Sequence, residues 1–225
     1  ALFQDVLIPV TAFFRDTKTF KNLTETIFPT LFANKSAGEP IRIWIAGCST
    51  GEETFSIEIC LPEFLGEKIA DTKIQIFASD ISQKAIKKAR SAIYTKAELA
   101  NISDSQLKKY FVKSNGNYEV SKVIREICVF ALHNFLKDPP FAKIDMISCR
   151  NVLIYLEPFL QKKAFTIFHY ALNPKGYLWL GKSESTGNSS EYFLAVGKSE
   201  KIFKRKSFPG TFMTVASERS EETLR

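Results

Sequence analysis

The feature that most constrains the fold is a junction. Ile41-Arg-Ile-Trp-Ile-Ala46 is rich in β-branched and aromatic residues and reads as a strand. It runs into Gly47-Cys-Ser-Thr-Gly51 and then into an amphipathic stretch from Glu53 to Leu61. Strand, glycine-containing turn and helix in immediate succession open a parallel α/β sheet. The same rhythm returns along the chain. Lys73–Ser79 reads as a second strand, followed by a helix at Gln83–Ser91 with Ser82 as its N-cap. Ile144–Ser148 reads as a buried strand ahead of a helix at Pro158–Ala171. Pro174-Lys-Gly176 reads as a turn into the strand Gly176–Leu180, and Phe193–Val196 and Lys201–Lys204 as two closing strands. A helix is expected around Phe20–Phe32.

The rhythm breaks between Ala97 and Val129. Ser103–Phe111 looks helical, Ser114–Asn117 is a turn signal, and Tyr118–Val120 and Cys128–Leu132 look like strands. Part of this region is expected to form a small antiparallel excursion at about 110–130. The whole is expected to be a doubly wound α/β sheet, mainly parallel, with an antiparallel edge formed by the closing strands. In such sheets a ligand binds at the carboxyl ends of the strands, where the strand order reverses.

Composition narrows the function. The 225 residues carry a net charge of +7, which suits an acidic partner, although the lysines are scattered and form no long basic block. Nucleic-acid binding therefore has little support. Asp138-Pro-Pro-Phe141 resembles the Asn-Pro-Pro-Tyr motif of base methyltransferases only superficially, because Asp replaces Asn and the motif precedes its strand. The 20 phenylalanines sit mostly in apolar runs and read as core. Cys48, Cys60, Cys128 and Cys149 form no C-x-x-C pair and read as buried, reduced thiols of a cytoplasmic protein. The two histidines lack metal-ligand spacing, so no metal is expected. No signal peptide and no apolar run of spanning length is apparent, so no membrane insertion is expected.

The junction itself carries chemistry. Gly47 lets the backbone approach a ligand closely. No Lys follows the glycines, as a phosphate-binding loop would require. Glu52 and Glu53 follow instead, and Asp80 ends the second strand. A carboxylate there suits a ribose diol, but it lies farther from the glycines than the roughly 20 residues of the dinucleotide fingerprint. Acidic residues at the turn suit a ligand bearing positive charge, such as the ammonium and sulfonium of S-adenosylmethionine.

Five segments then resemble one family. They are Thr11-Ala-Phe-Phe-Arg-Asp16, Ala46-Gly-Cys-Ser-Thr-Gly-Glu-Glu53, Ser79-Asp-Ile-Ser82, Cys149-Arg-Asn-Val-Leu-Ile-Tyr155 and Gly181-Lys-Ser-Glu184. In this order they resemble the signature segments of CheR-type chemoreceptor glutamate methyltransferases. Asn134–Phe141 and Cys149–Tyr170 are similar to the versions in hybrids where methyltransferase and methylesterase domains share one chain.

The resemblance implies a Rossmann-like class I methyltransferase fold with a seven-stranded sheet. It implies S-adenosylmethionine as cofactor, with S-adenosylhomocysteine as product. The activity implied is methyl esterification of receptor glutamates; the alternative is a catalytically silent domain that binds the cofactor or a partner. Thr11 and Arg15 would sit at the cofactor's methionine end, with Gly47 in the turn beneath it. Glu52 or Glu53 would hold its amino group, Asp80 its ribose, and Asn134 and Phe135 its adenine. Arg150 and Asn151 would contact it from the end of the fourth strand. Arg15 and Tyr155 would face the substrate carboxylate. The partners implied are acidic cytoplasmic helices of chemoreceptors, with the small β-subdomain as the candidate seat of a receptor tail peptide, and fused methylesterase or sensor domains.

The division expected is an N-terminal segment and linker helix at 1–40, a cofactor-binding domain at 41–206 and a Ser/Thr/Glu-rich tail at 207–225. Members of the family usually carry a helical domain ahead of the Thr11 motif, and this chain begins close to that motif. Pro9 stands where many relatives have Asn, which would remove one cofactor contact.

Overall fold

The computed structural model describes residues 11–36, 38–197 and 199–207, except for the side chain of Asn188. Pro9 and residues 208–225 of the tail lie outside the described residues.

Seven strands form the main sheet: β1 (Ile41–Ala46), β2 (Ile74–Asp80), β6 (Cys128–Leu132), β7 (Ile144–Cys149), β8 (Leu172–Leu180), β9 (Phe193–Gly197) and β10 (Ile202–Arg205). Their order is β6-β2-β1-β7-β8-β10-β9. The first five are mutually parallel. β10 inserts antiparallel between β8 and β9. The fold is the mainly parallel α/β sheet with an antiparallel edge that the alternating pattern predicts, and its seven strands make the Rossmann-like sheet that the resemblance implies. Strand order reverses around β1, between β2 and β7, which is where a ligand site is expected.

Strand alternation assigns the residues to two faces. Ile41, Ile43 and Ile45 of β1, with Met146, Tyr177, Trp179 and Ile202, share one core cluster. Trp44, Ala46, Ile147, Leu178, Leu180 and Phe203 share the other. The first face is covered by α1 (Thr17–Asn22), α2 (Phe28–Ala33), α3 (Glu52–Leu65) and α4 (Gln83–Ser91), with a π-helical turn at Leu23–Ile27 joining α1 to α2. Phe20, Leu23, Ile27, Phe28 and Leu31 from this joined helix are all buried in that core, so the segment ahead of β1 packs as part of the sheet's own layer. The second face is covered by α7 (Pro158–Ala171), through Ala164, Phe165, Phe168 and Ala171. Ser82 caps α4 as expected, accepting from the Ala85 amide at 3.2 Å.

Three details differ from the sequence reading. The small antiparallel sheet comprises β3 (Ile93–Tyr94), β5 (Asn117–Val120) and β4 (Phe111–Ser114), in that order. It begins earlier than expected and ends at Val120, whereas Cys128–Leu132 is the outer parallel strand of the main sheet. Two short helices, α5 (Asp104–Tyr110) and α6 (Lys122–Arg125), flank its β4-β5 hairpin. Pro174-Lys-Gly176 lies within β8, beside a register irregularity where β7 pairs with it between Ile144 and Met146. All four cysteines are free, but Cys128 is only partly buried. No helix among the described residues is long and apolar enough to cross a membrane.

Candidate active site

Because β1, β2, β6 and β7 are parallel, the segments that follow them emerge at one end of the sheet. A cleft of about 1020 Å³ opens there. It is lined by residues after β1 (Gly47–Thr50), at and after β2 (Asp80–Ser82), after β6 (His133–Lys137) and after β7 (Arg150–Val152). Thr11 and Arg15 line it from the N-terminal segment, and Ile154, Tyr155, Leu156 and Leu160 from the start of α7 and the turn before it. The volume is at the upper end for small-molecule sites, with room for a ligand and a substrate side chain.

The turn after β1 is sterically committed. Gly47 has φ of 81°, and a Cβ there would stand 2.4 Å from Val152 Cγ2. Gly51 has φ of 98°, and a Cβ would meet the Tyr94 hydroxyl at 2.9 Å. That hydroxyl donates to the Thr50 carbonyl at 2.7 Å, fixing the turn from beneath. Asp80 then ties the turn to β2. One carboxylate oxygen accepts from the Ser49 amide at 2.9 Å and the other from the Ser82 amide at 2.8 Å. Each oxygen keeps a lone pair for a ligand hydroxyl. Cys48 beside it is no nucleophile: burial, then the Asp80 charge, push its thiol well above the ordinary value.

Of the two adjacent glutamates, only Glu53 reaches the cleft. It accepts from Ser148 Oγ at 2.6 Å and from Arg150 Nη1 at 3.0 Å. Glu52 is buried and turned to the Thr50 hydroxyl at 2.7 Å, and burial raises its pKa. Adjacent positions on a helix diverge by about 100°, so the two carboxylates cannot share one ligand. Of the two candidates the sequence leaves open, the structure places Glu53 on the cleft and Glu52 away from it.

Arg150 lines the cleft, but its guanidinium serves the protein. The side chain is 1% exposed and bridges Glu53 and Asp16, each at 3.0 Å. It also donates to the Arg15 carbonyl and lies 4.3 Å from the centre of the Trp179 ring. The guanidinium thus ties Glu53 to the N-terminal segment, while the residue itself lines the cleft. That segment is pinned by two buried rings. Phe13 packs edge-on against Tyr94 and Phe111, and Phe14 against Phe20. The Phe14 amide donates to Ser56 Oγ, and Asn101 donates to the Phe13 carbonyl. Phe14 and Asp16 both adopt positive φ, and Asp16 also pairs with Lys182 at 2.7 Å. The result is a tight turn that carries Arg15 to the cleft wall.

Asn151 also has positive φ, at 60°. Its conformation is imposed by Glu184, whose buried carboxylate accepts from four backbone amides, Asn151, Val152, Leu153 and Gly181, at 2.7–2.9 Å. Tyr155 follows on the same turn and is 43% exposed, so its ring is not a core residue. At the other end of the cleft, Asn134 Oδ1 accepts from the Leu136 amide at 3.0 Å. Phe135 lines the cleft, yet it is only 7% exposed and its ring packs 5.4 Å from Phe168. It is held in the core more than displayed as a free stacking face.

The structure thus gathers Thr11, Arg15, Gly47, Glu53, Asp80, Asn134, Phe135, Arg150, Asn151 and Tyr155 around one cleft and leaves Glu52 out. The supporting groups Ser49, Ser148, Asp16 and Glu184 were not assigned roles from sequence. Asp16 and Glu184 stand within the quoted segments, so an acid beside each functional turn was the available signal; Ser148 gives none.

The profile of the CheR methyltransferase, SAM-binding domain, matches residues 9–202. The chain belongs to the CheR methyltransferase family. Among CheR relatives, the chemotaxis protein methyltransferase of Salmonella typhimurium is 36% identical over 198 residues, covering 84% of this chain and 65% of that protein. Chemotaxis protein methyltransferase 1 of Pseudomonas aeruginosa is 34% identical over 200 residues, covering 87% and 73%. An uncharacterised 104.1 kDa protein of Rhodobacter capsulatus is 34% identical over 204 residues; the match covers 91% of this chain and only 21% of that one.

CheR domains are S-adenosylmethionine-dependent methyltransferases, and the cleft fits that cofactor. The Asp80 carboxylate has acceptor capacity for a diol, Glu53 supplies anionic charge for an ammonium, and Gly47 leaves the space that a Cβ would fill. When bound, the cofactor supplies an electrophilic methyl group. The chain's own residues would hold and orient the reactants and keep water away.

Proposed function

We propose that this chain transfers a methyl group from S-adenosylmethionine to glutamate side-chain carboxylates of chemoreceptors, forming methyl esters in the cytoplasm. The observation that carries this reading is the meeting of Arg15 and Tyr155 with the cofactor cleft, in a family whose relatives are named chemotaxis protein methyltransferases. The chemistry suits a carboxylate acceptor. A glutamate is already ionised at neutral pH, with a pKa near ~4.3, so no strong base is required. Arg15 would orient the carboxylate through paired N–H donors, and Tyr155 would hydrogen-bond to it. Both roles are positioning: effective catalysis here comes from alignment behind the methyl group and from exclusion of water.

Within this reading Thr11, Glu53, Asp80, Asn134 and Asn151 hold the cofactor, and Arg150 positions Glu53. Residues 41–206 serve as the cofactor-binding domain, with 1–40 as its packed N-terminal segment and 207–225 as a tail. The partners are acidic receptor helices. A receptor tail peptide on the β3-β5-β4 sheet rests on that sheet's likeness to the family's small β-subdomain, and fused methylesterase or sensor domains rest on the resemblance of Asn134–Phe141 and Cys149–Tyr170 to hybrid proteins.

The test is incubation of receptor cytoplasmic fragments with the chain and S-adenosylmethionine, followed by peptide mass mapping. Base-labile methylation confined to glutamates is the expected result. Arg15→Ala should lower turnover by roughly 10²-fold or more, as expected for loss of an orienting contact, and Tyr155→Phe by less, with both variants folded. Methylation of bases or lysines, or none at all, would overturn the reading.

A further inference from the structure

At the cleft mouth an apolar surface runs on from the lining residues Ile154 and Tyr155 to Phe159, which lies outside the cleft. Tyr155 is followed within four residues by Phe159, which is 65% exposed, and is preceded by Ile154, which is 48% exposed. A phenylalanine this open is unusual in a chain whose other rings largely build the core. The surface is held rigid. Gln161 donates from Nε2 to the carbonyls of both Leu153 and Leu156, at 3.0 and 2.9 Å, locking the turn onto the start of α7. Phe159, Lys162 and Lys163 lie at i, i+3 and i+4 and so share one helix face. Both lysines are exposed, and Lys163 itself lines the cleft. Lys84 and Lys137 line the same cleft. Glu157 is the single carboxylate between Ile154 and Lys163.

We propose that Ile154, Tyr155 and Phe159, with Lys162 and Lys163 beside them, form the docking surface for an amphipathic helix whose apolar stripe is flanked by carboxylates, one of which is the acceptor glutamate. The inference rests on the glutamate-methylating reading above and names where the substrate helix sits. Three observations select this occupant. The surface continues directly into the cleft through Tyr155, Leu156 and Leu160. The lysines are complementary to an acidic helix, and the apolar residues match its stripe. A few anchors that become fully desolvated dominate the energy of such interfaces, and Tyr155 and Phe159 are exposed rings available for that part.

The experiment uses Phe159→Ser and Lys162→Glu in the full chain, since neither residue lines the cofactor cleft. S-adenosylhomocysteine affinity, kcat and KM on a receptor fragment, and sedimentation of the enzyme alone are measured. The expected result is unchanged cofactor affinity in both variants. Phe159→Ser should lower kcat/KM by about tenfold, chiefly through KM. Lys162→Glu should lower it at low salt, and the deficit should shrink by 1 M, where the Debye length falls from about 10 Å to about 3 Å. If the parent methylates the fragment and both variants match it at every salt concentration, this surface is not the dock, although the functional reading stands. If the parent self-associates and Phe159→Ser abolishes that, the occupant is a second copy and the proposal fails. A parent that methylates no glutamate removes both readings together.

Discussion

Glu58 is a carboxyl with no role in the cleft and no exposure to solvent. Burial pushes its pKa well above the carboxylate range, against an opposing pull from the Cys128 thiol beside it. A carboxyl with a raised folded-state pKa supports folding fully below its unfolded value, near about 4.3, and that support is lost as pH rises toward the folded value. The slope for one proton is at most about 1.4 kcal/mol per pH unit. Glu58→Gln keeps the shape and removes the titration. Its melting temperature relative to the parent should therefore climb as pH is raised from about 5 to about 8. A difference that stays flat across that range would show that the Glu58 carboxyl is not held neutral. At the same scale, neighbouring residues take opposite parts: Glu53 serves the cleft and Glu52 the turn, a distinction set by where α3 starts. Sequence leaves open which of the two faces the ligand, because it gives spacing along the chain and not rotation about a helix.

At the scale of elements, the turn from Arg150 to Tyr155 depends on one carboxylate contributed from beyond β8. Glu184→Gln leaves one acceptor oxygen for four amides and turns an N–H₂ toward the rest. Each buried amide left unpaired costs about 1–3 kcal/mol. The variant should melt lower, and hydrogen exchange at Asn151, Val152 and Leu153 should accelerate more than at core amides of β1. Protection equal to the parent's at those three positions would contradict the account of the turn. The long elements were legible because their apolar periods are regular. Strands β1, β2 and β7 and helices α4 and α7 stand within a residue or so of their expected places. The short ones were not. β3 has two residues, and Phe111 continues an apparent helix until its side chain joins β4. Cys128–Leu132 was read as a strand, but which sheet it joins is decided by pairing with β2, which no local pattern records. The site was legible as a set of segments through their resemblance to a family. The ways Arg150 and Phe135 turn inward depend on packing against Trp179 and Phe168 and could not be read from spacing.

The whole molecule makes a site by alignment. Four parallel strands end together, each followed by a short segment that carries one or two polar groups, and the N-terminal segment is pinned across them by Phe13, Phe14 and the Asp16–Arg150 pair. That pair is buried on the arginine side, so breaking it would cost about 3–5 kcal/mol and loosen the cleft wall. The central claim is that this cleft holds the cofactor, with Asp80 receiving its ribose. Calorimetric titration of S-adenosylhomocysteine into the parent and Asp80→Ala tests it directly. The account predicts one site per chain in the parent and an affinity loss of about 1–3 kcal/mol in the variant, as expected when a charged acceptor is removed. Equal affinity in the two proteins, with both folded, would contradict it.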